Sequence, residues 1–261
     1  MQLEKKSAMI TGGGRGLGRA AALAMAREGA CISIMARTQK DLEETAGLVR
    51  DLGGEIVVLQ GDVSSERDVR RLMDKTLKHF SGIDILVNNA AVIGPVRFME
   101  DADSASWKET VAVNLHGPFF CCRAVVPVMR EKGGGRIINI ASGLGQMPFP
   151  RFCAYAVTKA GIIQLTRSLS SELSPHNIHV NAIDPGVMDT AMQADLRDLG
   201  PEVLGEEVYA QFMEYRRQGH LRDPAEVATL AVFLASPEAG SLSGHFGTLE
   251  DYRALGWRPH G

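Results

Sequence analysis

Tyr155 and Lys159 stand four residues apart in the segment AYAVTKAG, a stretch of helical character. On a helix, positions i and i+4 project from one face, so a phenol and an ammonium would share a single volume. A tyrosine ordinarily ionises near pH ~10, and a neighbouring cation favours the phenolate. The pair therefore offers a group able to give or take a proton, with Lys159 expected to draw the Tyr155 pKa downward. Taken alone, Tyr-x-x-x-Lys is frequent by chance and reads equally as ordinary packing on a buried helix.

A second chemical feature is the run ITGGGRGLGRAAA, where an apolar strand must turn sharply into a helix. Gly12, Gly16 and Gly18 permit the turn, a close backbone approach to a pyrophosphate, and helix packing on the sheet. The helix start offers free N–H groups and partial positive charge to an anion. This context, strand then glycines then helix, predicts a dinucleotide site. Roughly twenty residues on, the second strand ends in SIMARTQKDLEE, with Arg37 and no acid before Asp41. A carboxylate there would bind the ribose 2′-hydroxyl of NAD, whereas a guanidinium pairs with a 2′-phosphate. The expected cofactor is NADP(H), with Arg15 as a second phosphate partner. The competing reading has Arg37 capping the strand and facing solvent.

These groups need a scaffold, and the chain supplies short β-branched runs alternating with longer segments of helical period. That pattern predicts an α/β fold, a doubly wound parallel sheet of about seven strands with helices on both faces. Strands are expected at 8–11, 31–35, 55–60, 83–88, 136–141, 178–184 and 245–249, and helices at 17–28, 39–52, 66–79, 104–130, 152–173 and 224–235. Between residues 187 and 222 the rhythm fails, which marks either a functional lid or a disordered segment.

The 261 residues, 45% of them hydrophobic, suit one domain over 1–261. Net charge is −3 with no basic run, which argues against nucleic acid as a partner. The start, MQLEKKSAMITGGG, lacks a signal-peptide pattern, so a cytoplasmic location is expected. No apolar run is read as reaching the ~20 residues of a membrane span, and no membrane partner is expected. Cys31, Cys121, Cys122 and Cys153 read as reduced core thiols, and the seven histidines show no metal-ligand spacing, so no metal is expected.

In combination the motifs resemble the short-chain dehydrogenase/reductase family. They are TGGGRGLG (11–18), GDV (61–63), NNAA (88–91), VNLHG (113–117), INIAS ending at Ser142, YAVTK (155–159) and DPG (184–186). The general look is of single-domain enzymes such as 3-oxoacyl-carrier-protein reductase and relatives acting on ketones, sugars and steroids. The resemblance implies a Rossmann-like fold and carbonyl/alcohol chemistry on a small molecule, with Tyr155 as general acid/base and Lys159 lowering its pKa and bonding the nicotinamide ribose. Ser142 would hold the substrate oxygen and Asn114 would order a water-linked proton path to Lys159. It further implies cofactor contacts from Leu17, Asp62, Val63, Asn88, Ala90, Pro185, Gly186, Val187 and Thr190. For Asn88 a structural tie between strands is an equal reading, and Thr190 reads equally as a helix N-cap. The helices at 104–130 and 152–173 resemble those through which relatives form a homodimer or homotetramer.

Two other readings compete: a non-catalytic dinucleotide-binding regulatory protein, against which the retained Asn114, Ser142, Tyr155 and Lys159 speak, and a transient-cofactor epimerase or dehydratase, which would need an added substrate domain. An NAD-preferring alcohol dehydrogenase is a further variant. The chain departs from the family at its end, where Asp251 and Tyr252 replace a glycine pair. The tail at 250–261 is atypical: Tyr252 and Trp257 either pack on their own subunit or reach over a neighbouring site. Met147, Pro148, Phe149, Phe152, Met192 and Phe212 suggest a substrate with an apolar portion.

Overall fold

The computed structural model describes residues 1–259; the last two positions of the tail lie outside the described residues. Its strands are β1 (Ser7–Thr11), β2 (Cys31–Ala36), β3 (Ile56–Gln60), β4 (Ile85–Asn88), β5 (Gly135–Ile140), β6 (Ile178–Ile183) and β7 (Phe246–Gly247). Its helices are α1 (Gly16–Arg27), α2 (Gln39–Asp51), α3 (Glu66–Phe80), α4 (Ser104–Val111), α5 (Gly117–Glu131), α6 (Cys153–Leu173), α7 (Ala191–Asp198), α8 (Gly200–Leu204), α9 (Glu206–Arg217), α10 (Pro224–Ala235) and α11 (Leu249–Ala254). All strand pairs are parallel, in the order β3-β2-β1-β4-β5-β6-β7. The fold is the Rossmann-like α/β sheet expected. Strand order reverses between β1 and β4, and a crevice opens beyond the carboxyl ends of the strands at that point.

Alternation along each strand decides which core a side chain enters. Ile10, Ile34, Val87 and Ile138 turn to the face covered by α1, α2 and α10, while Met9, Met35, Leu86 and Ile137 turn to the face covered by α3 and α5. Both faces are therefore apolar, which is why these strands read as continuous hydrophobic runs. At Gly18 a Cβ would stand 2.1 Å from the Gly12 carbonyl oxygen, so only glycine lets α1 lie this close to the β1 turn.

Three features differ from the sequence expectations. The helix expected over 104–130 is interrupted by a π turn, Ala112–His116, which separates α4 from α5 and carries Asn114. Together Ser104–Glu131 form a 28-residue helical stretch long and apolar enough to cross a bilayer by length and composition. This corrects the reading that no apolar run approaches such a length; here it packs against β4, β5, α3 and α6. The segment 187–222 is not irregular but holds α7, α8 and α9, with Thr190 capping α7 through its hydroxyl, which accepts from the Gln193 amide at 3.4 Å.

The third difference lies after β7, where a strand to residue 249 was expected. Thr248 and Asp251 form a reciprocal capping box that starts α11 instead. Tyr252 and Trp257 are 0% and 1% exposed, and the Tyr252 hydroxyl donates to the Ala182 carbonyl at 2.9 Å. Both aromatics pack in the core of their own chain, which overturns the reading that they reach over a neighbouring site.

Candidate active site

A cleft of about 600 Å³ runs along the carboxyl edge of the sheet. One end is built by the β1–α1 turn. Gly12 has φ +66°, and a Cβ on it would come within 2.8 Å of the Asn89 side-chain nitrogen. Asn89 donates to the carbonyls of Thr11 and Gly12 at 2.9 and 3.2 Å, and the Thr11 hydroxyl accepts the amides of Asn89 and Ala90. Arg19 holds the turn from the other side, donating to the Gly14 carbonyl at 2.6 Å and pairing with Glu44 on α2. Sequence reasoning missed both locks. The signal for Asn89 was its place in NNAA directly after β4.

The N-terminus of α1 has Arg15 as N-cap with no side-chain cap bond, and its first turn carries no acid. Its uncapped N–H groups therefore open on a cleft bordered by Arg15, Gly16 and Leu17, which suits a diphosphate. Arg37, Asp62, Val63, Ala90, Pro185, Gly186, Val187 and Thr190 border the same cleft, as do Thr38 and Asp41. Arg37 is exposed and pairs with Glu109 at 3.3 Å. Asp62 accepts from the Ser64 amide and hydroxyl. These residues fit a dinucleotide.

Three of the implied positions lie elsewhere. Asn88 does not border the cleft: it is buried, and its amide donates to Asn139 Oδ1 at 2.8 Å, tying β4 to β5. The structural reading of Asn88 replaces the cofactor contact, because Asn88 and Asn139 are register partners on adjacent strands and their side chains lie side by side on one face of the sheet. Gly18 serves helix packing and is likewise absent from the cleft wall. Asn114 is 2% exposed; its oxygen accepts from the Val92 amide at 2.8 Å, and its nitrogen donates to the Val92 carbonyl and Thr158 Oγ1. It braces the 90s loop against α6 rather than lining the cleft.

At the other end Ser142, Tyr155 and Lys159 converge. Ser142 follows β5 in extended backbone, and its Oγ accepts from the Leu144 amide at 3.2 Å, which leaves its own proton to donate. Tyr155 and Lys159 project from the first turns of α6, one turn apart, with the ammonium 5.4 Å from the phenol ring centre. Lys159 is 3% exposed and donates to the Ile140 carbonyl at 2.7 Å. Burial pushes Tyr155 up to about 12; the Ser142 hydrogen bond opposes this and the charge of Asp184 adds to it. Burial also pushes Lys159 down to about 8, against a smaller upward pull from Asp184. The expectation that Lys159 draws Tyr155 down is thus not met: loss of hydration raises the phenol, and the charge that acts on it is that of Asp184. Tyr155 is a neutral phenol at neutral pH.

Asp184 is the group that sequence reasoning passed over, although DPG was noted. It borders the cleft, its Oδ1 accepts from the Gly186 amide at 3.1 Å, and its charge reaches both Tyr155 and Lys159. The outer wall is apolar: Met147, Phe149, Phe152, Met192 and Phe212 border the cleft, with Phe152 stacked edge-on against Phe149 and Phe212. Pro148 does not.

The sequence matches the family model of the short chain dehydrogenases over residues 6–199. It is 34% identical over 244 residues to an "uncharacterized oxidoreductase" of Thermotoga maritima (strain MSB8), covering 94% of this chain and 95% of that protein. Among solved structures, NAD+-bound xylitol dehydrogenase is 29% identical with a TM-score of 0.89, covering 95% of this chain and 99% of that one. A variant of actinorhodin polyketide ketoreductase with NADPH is 28% identical with a TM-score of 0.87, covering 95% and 97%. With the parallel sheet, the glycine turn and the Ser142, Tyr155 and Lys159 cluster, these matches place the chain in the short-chain dehydrogenase/reductase family of oxidoreductases.

Proposed function

We propose that the protein is an NADP(H)-dependent oxidoreductase that interconverts a carbonyl and a secondary alcohol on a small substrate with an apolar portion. The observation that carries this reading is the convergence of Ser142, Tyr155 and Lys159 at the end of a cleft whose other end is a dinucleotide-shaped turn. The bound cofactor would supply a hydride to the carbonyl carbon, or accept one from the alcohol. The Ser142 hydroxyl, which hydrogen-bonds the Tyr155 phenol, would donate to the carbonyl oxygen and fix its position. Tyr155 gives its phenolic proton to that oxygen as charge develops there. Lys159, held on the Ile140 carbonyl, keeps a positive charge beside the phenol below about pH 8 and so eases its transient ionisation. A phenol pushed up to about 12 carries its proton at neutral pH, the form that the reductive direction needs at the start of the step.

The 2′-phosphate assignment rests on Arg37 at the cleft with no acid at the adjacent end of β2. One observation favours NAD instead: the Arg37 guanidinium is engaged by Glu109. Both residues are exposed, and a surface pair of this kind is worth at most ~1 kcal/mol, less than a charge-assisted bond to phosphate. Turnover with NADPH and NADH across apolar ketones, diketones, β-ketoacyl thioesters and cyclic ketones tests the reading. Tyr155→Phe should retain cofactor binding and lose at least ~10²-fold in rate; retention of a tenth of the rate would defeat the acid/base role. Arg37→Asp should weaken NADPH and spare NADH, and an unchanged preference would return the assignment to NAD.

A further inference from the structure

Behind the lid lies a second, polar cavity of about 440 Å³, bordered by Asp189, Ala194, Arg197, Arg216, Gly219 and Leu221. Helices α7 and α9 stand between it and the main cleft. On α7, Gln193 and Leu196 face the main cleft while Ala194 and Arg197 face the rear; on α9, Phe212 and Tyr215 face the cleft while Arg216 faces the rear. Arg197 is only 9% exposed, yet its guanidinium makes no hydrogen bond or ion pair among the described residues, and its Nη1 is fully shielded by protein. Arg216 and Asp189 likewise have no side-chain partner there, and neither arginine is within ion-pair distance of Asp189.

Enclosing the Arg197 Nη1 group with no acceptor is costly, and the exposed Arg216 at the same cavity adds a second positive charge. A small oxyanion removes both penalties, since the guanidinium fork matches its oxygens. The carboxylate of Asp189 sets a further condition: it repels a fully ionised anion but accepts a hydrogen bond from one that keeps a proton. At neutral pH hydrogen phosphate keeps a proton and sulfate does not. We propose that this cavity is a hydrogen phosphate site that clamps α7 to α9 through Arg197 and Arg216, with Asp189 selecting the protonated oxyanion. Because Leu196 and Phe212 of the same helices pack together in the cleft wall, occupancy would also stiffen the substrate side of the lid.

The test is thermal unfolding of the full chain in ~20 mM inorganic phosphate, sulfate or chloride at matched ionic strength, with NADP+ or NAD+, whichever raises the Tm, saturating so that the main cleft is covered. For a millimolar dissociation constant, phosphate at twentyfold excess should raise the wild-type Tm by about 3–6 °C over chloride, and sulfate by less than half as much. Arg216→Ala, an exposed change, should abolish the phosphate increment, as should Arg197→Gln. Asp189→Asn should bring sulfate level with phosphate. General salt exclusion raises every variant alike, so the difference between wild type and Arg216→Ala isolates the site. Equal Tm values in phosphate and chloride, or a phosphate increment that survives Arg216→Ala, overturn the proposal. Neither result depends on the proposed reaction, because Arg216 lies outside the main cleft.

Discussion

Lys159 gives the sharpest quantitative expectation. Its ammonium is 3% exposed, and its pKa falls from 10.5 to about 8 because burial strips its hydration. At ~1.4 kcal/mol per unit, holding the charged form in the folded state costs about 3 kcal/mol below pH 8. Between pH 8 and 10.5 the unfolded chain retains a proton that the folded chain has released, so stability rises with pH across this window. Above it both forms are neutral and the cost is gone. Lys159→Met removes the titration but also deprives the Ile140 carbonyl of its donor, a loss of ~1–3 kcal/mol that does not vary with pH. The stability difference, wild type minus Lys159→Met, should therefore move in favour of wild type by about 3 kcal/mol between pH ~7 and 10.5. Tyr155 and the other groups titrate in both proteins and cancel to first order. Urea unfolding at closely spaced pH values reads the difference directly, and a difference constant to within ~0.5 kcal/mol would refute a buried, depressed lysine.

Other expectations follow from Asp184 and the C-terminal segment. Asp184→Asn removes a negative charge that raises the Tyr155 pKa, so the alkaline limb of alcohol oxidation should move to lower pH; an unmoved limb would show that Asp184 does not act on the phenol. The same change removes the upward pull on Lys159 and should lower its pKa further, visible as an earlier onset of the pH-dependent stability gain. Tyr252→Phe deletes a buried hydroxyl bonded to the Ala182 carbonyl and should cost ~1 kcal/mol in denaturant unfolding. Trp257→Ala should cost ~3–5 kcal/mol, and a change within ~1 kcal/mol would mean that this residue is not part of the core.

The sheet was legible because its signals are local. Apolar runs of strand length, glycines after β1 and caps before helices each act within a few residues, and the strands and main helices appear close to the expected bounds. The elements that were not legible are those whose signal is weak or whose cause is tertiary. A five-residue π turn inside an apolar helix leaves no mark in hydrophobic period, yet it places Asn114 where Val92 and Thr158 can bond it. Helix α11 did carry a sign, Thr248 followed three residues later by Asp251, but the apolar residues around β7 read as a longer strand. Helices α7, α8 and α9 are short and are separated at Gly200 and Gly205, so no long periodic apolar face marks them in the sequence.

For the site, residue types and even the convergence of Tyr155 with Lys159 follow from helical spacing, but the sign of the pKa change does not. Spacing sets the phenol beside the ammonium; it says nothing of how much water each retains. That is decided by the end of β5, which supplies the Ile140 carbonyl and Ser142, and by the end of β6, which supplies Asp184. These groups are brought to α6 only by the parallel pairing of β5 with β6. Burial then favours the neutral form of both partners, phenol and amine alike. Around neutral pH, below the depressed lysine pKa and far below the raised tyrosine pKa, the pair stands as a protonated phenol beside an ammonium. A proton can leave Tyr155 in that state only when another oxygen develops charge to receive it, so in the proposed reaction the resting site would hold the proton in place until a substrate carbonyl is being reduced.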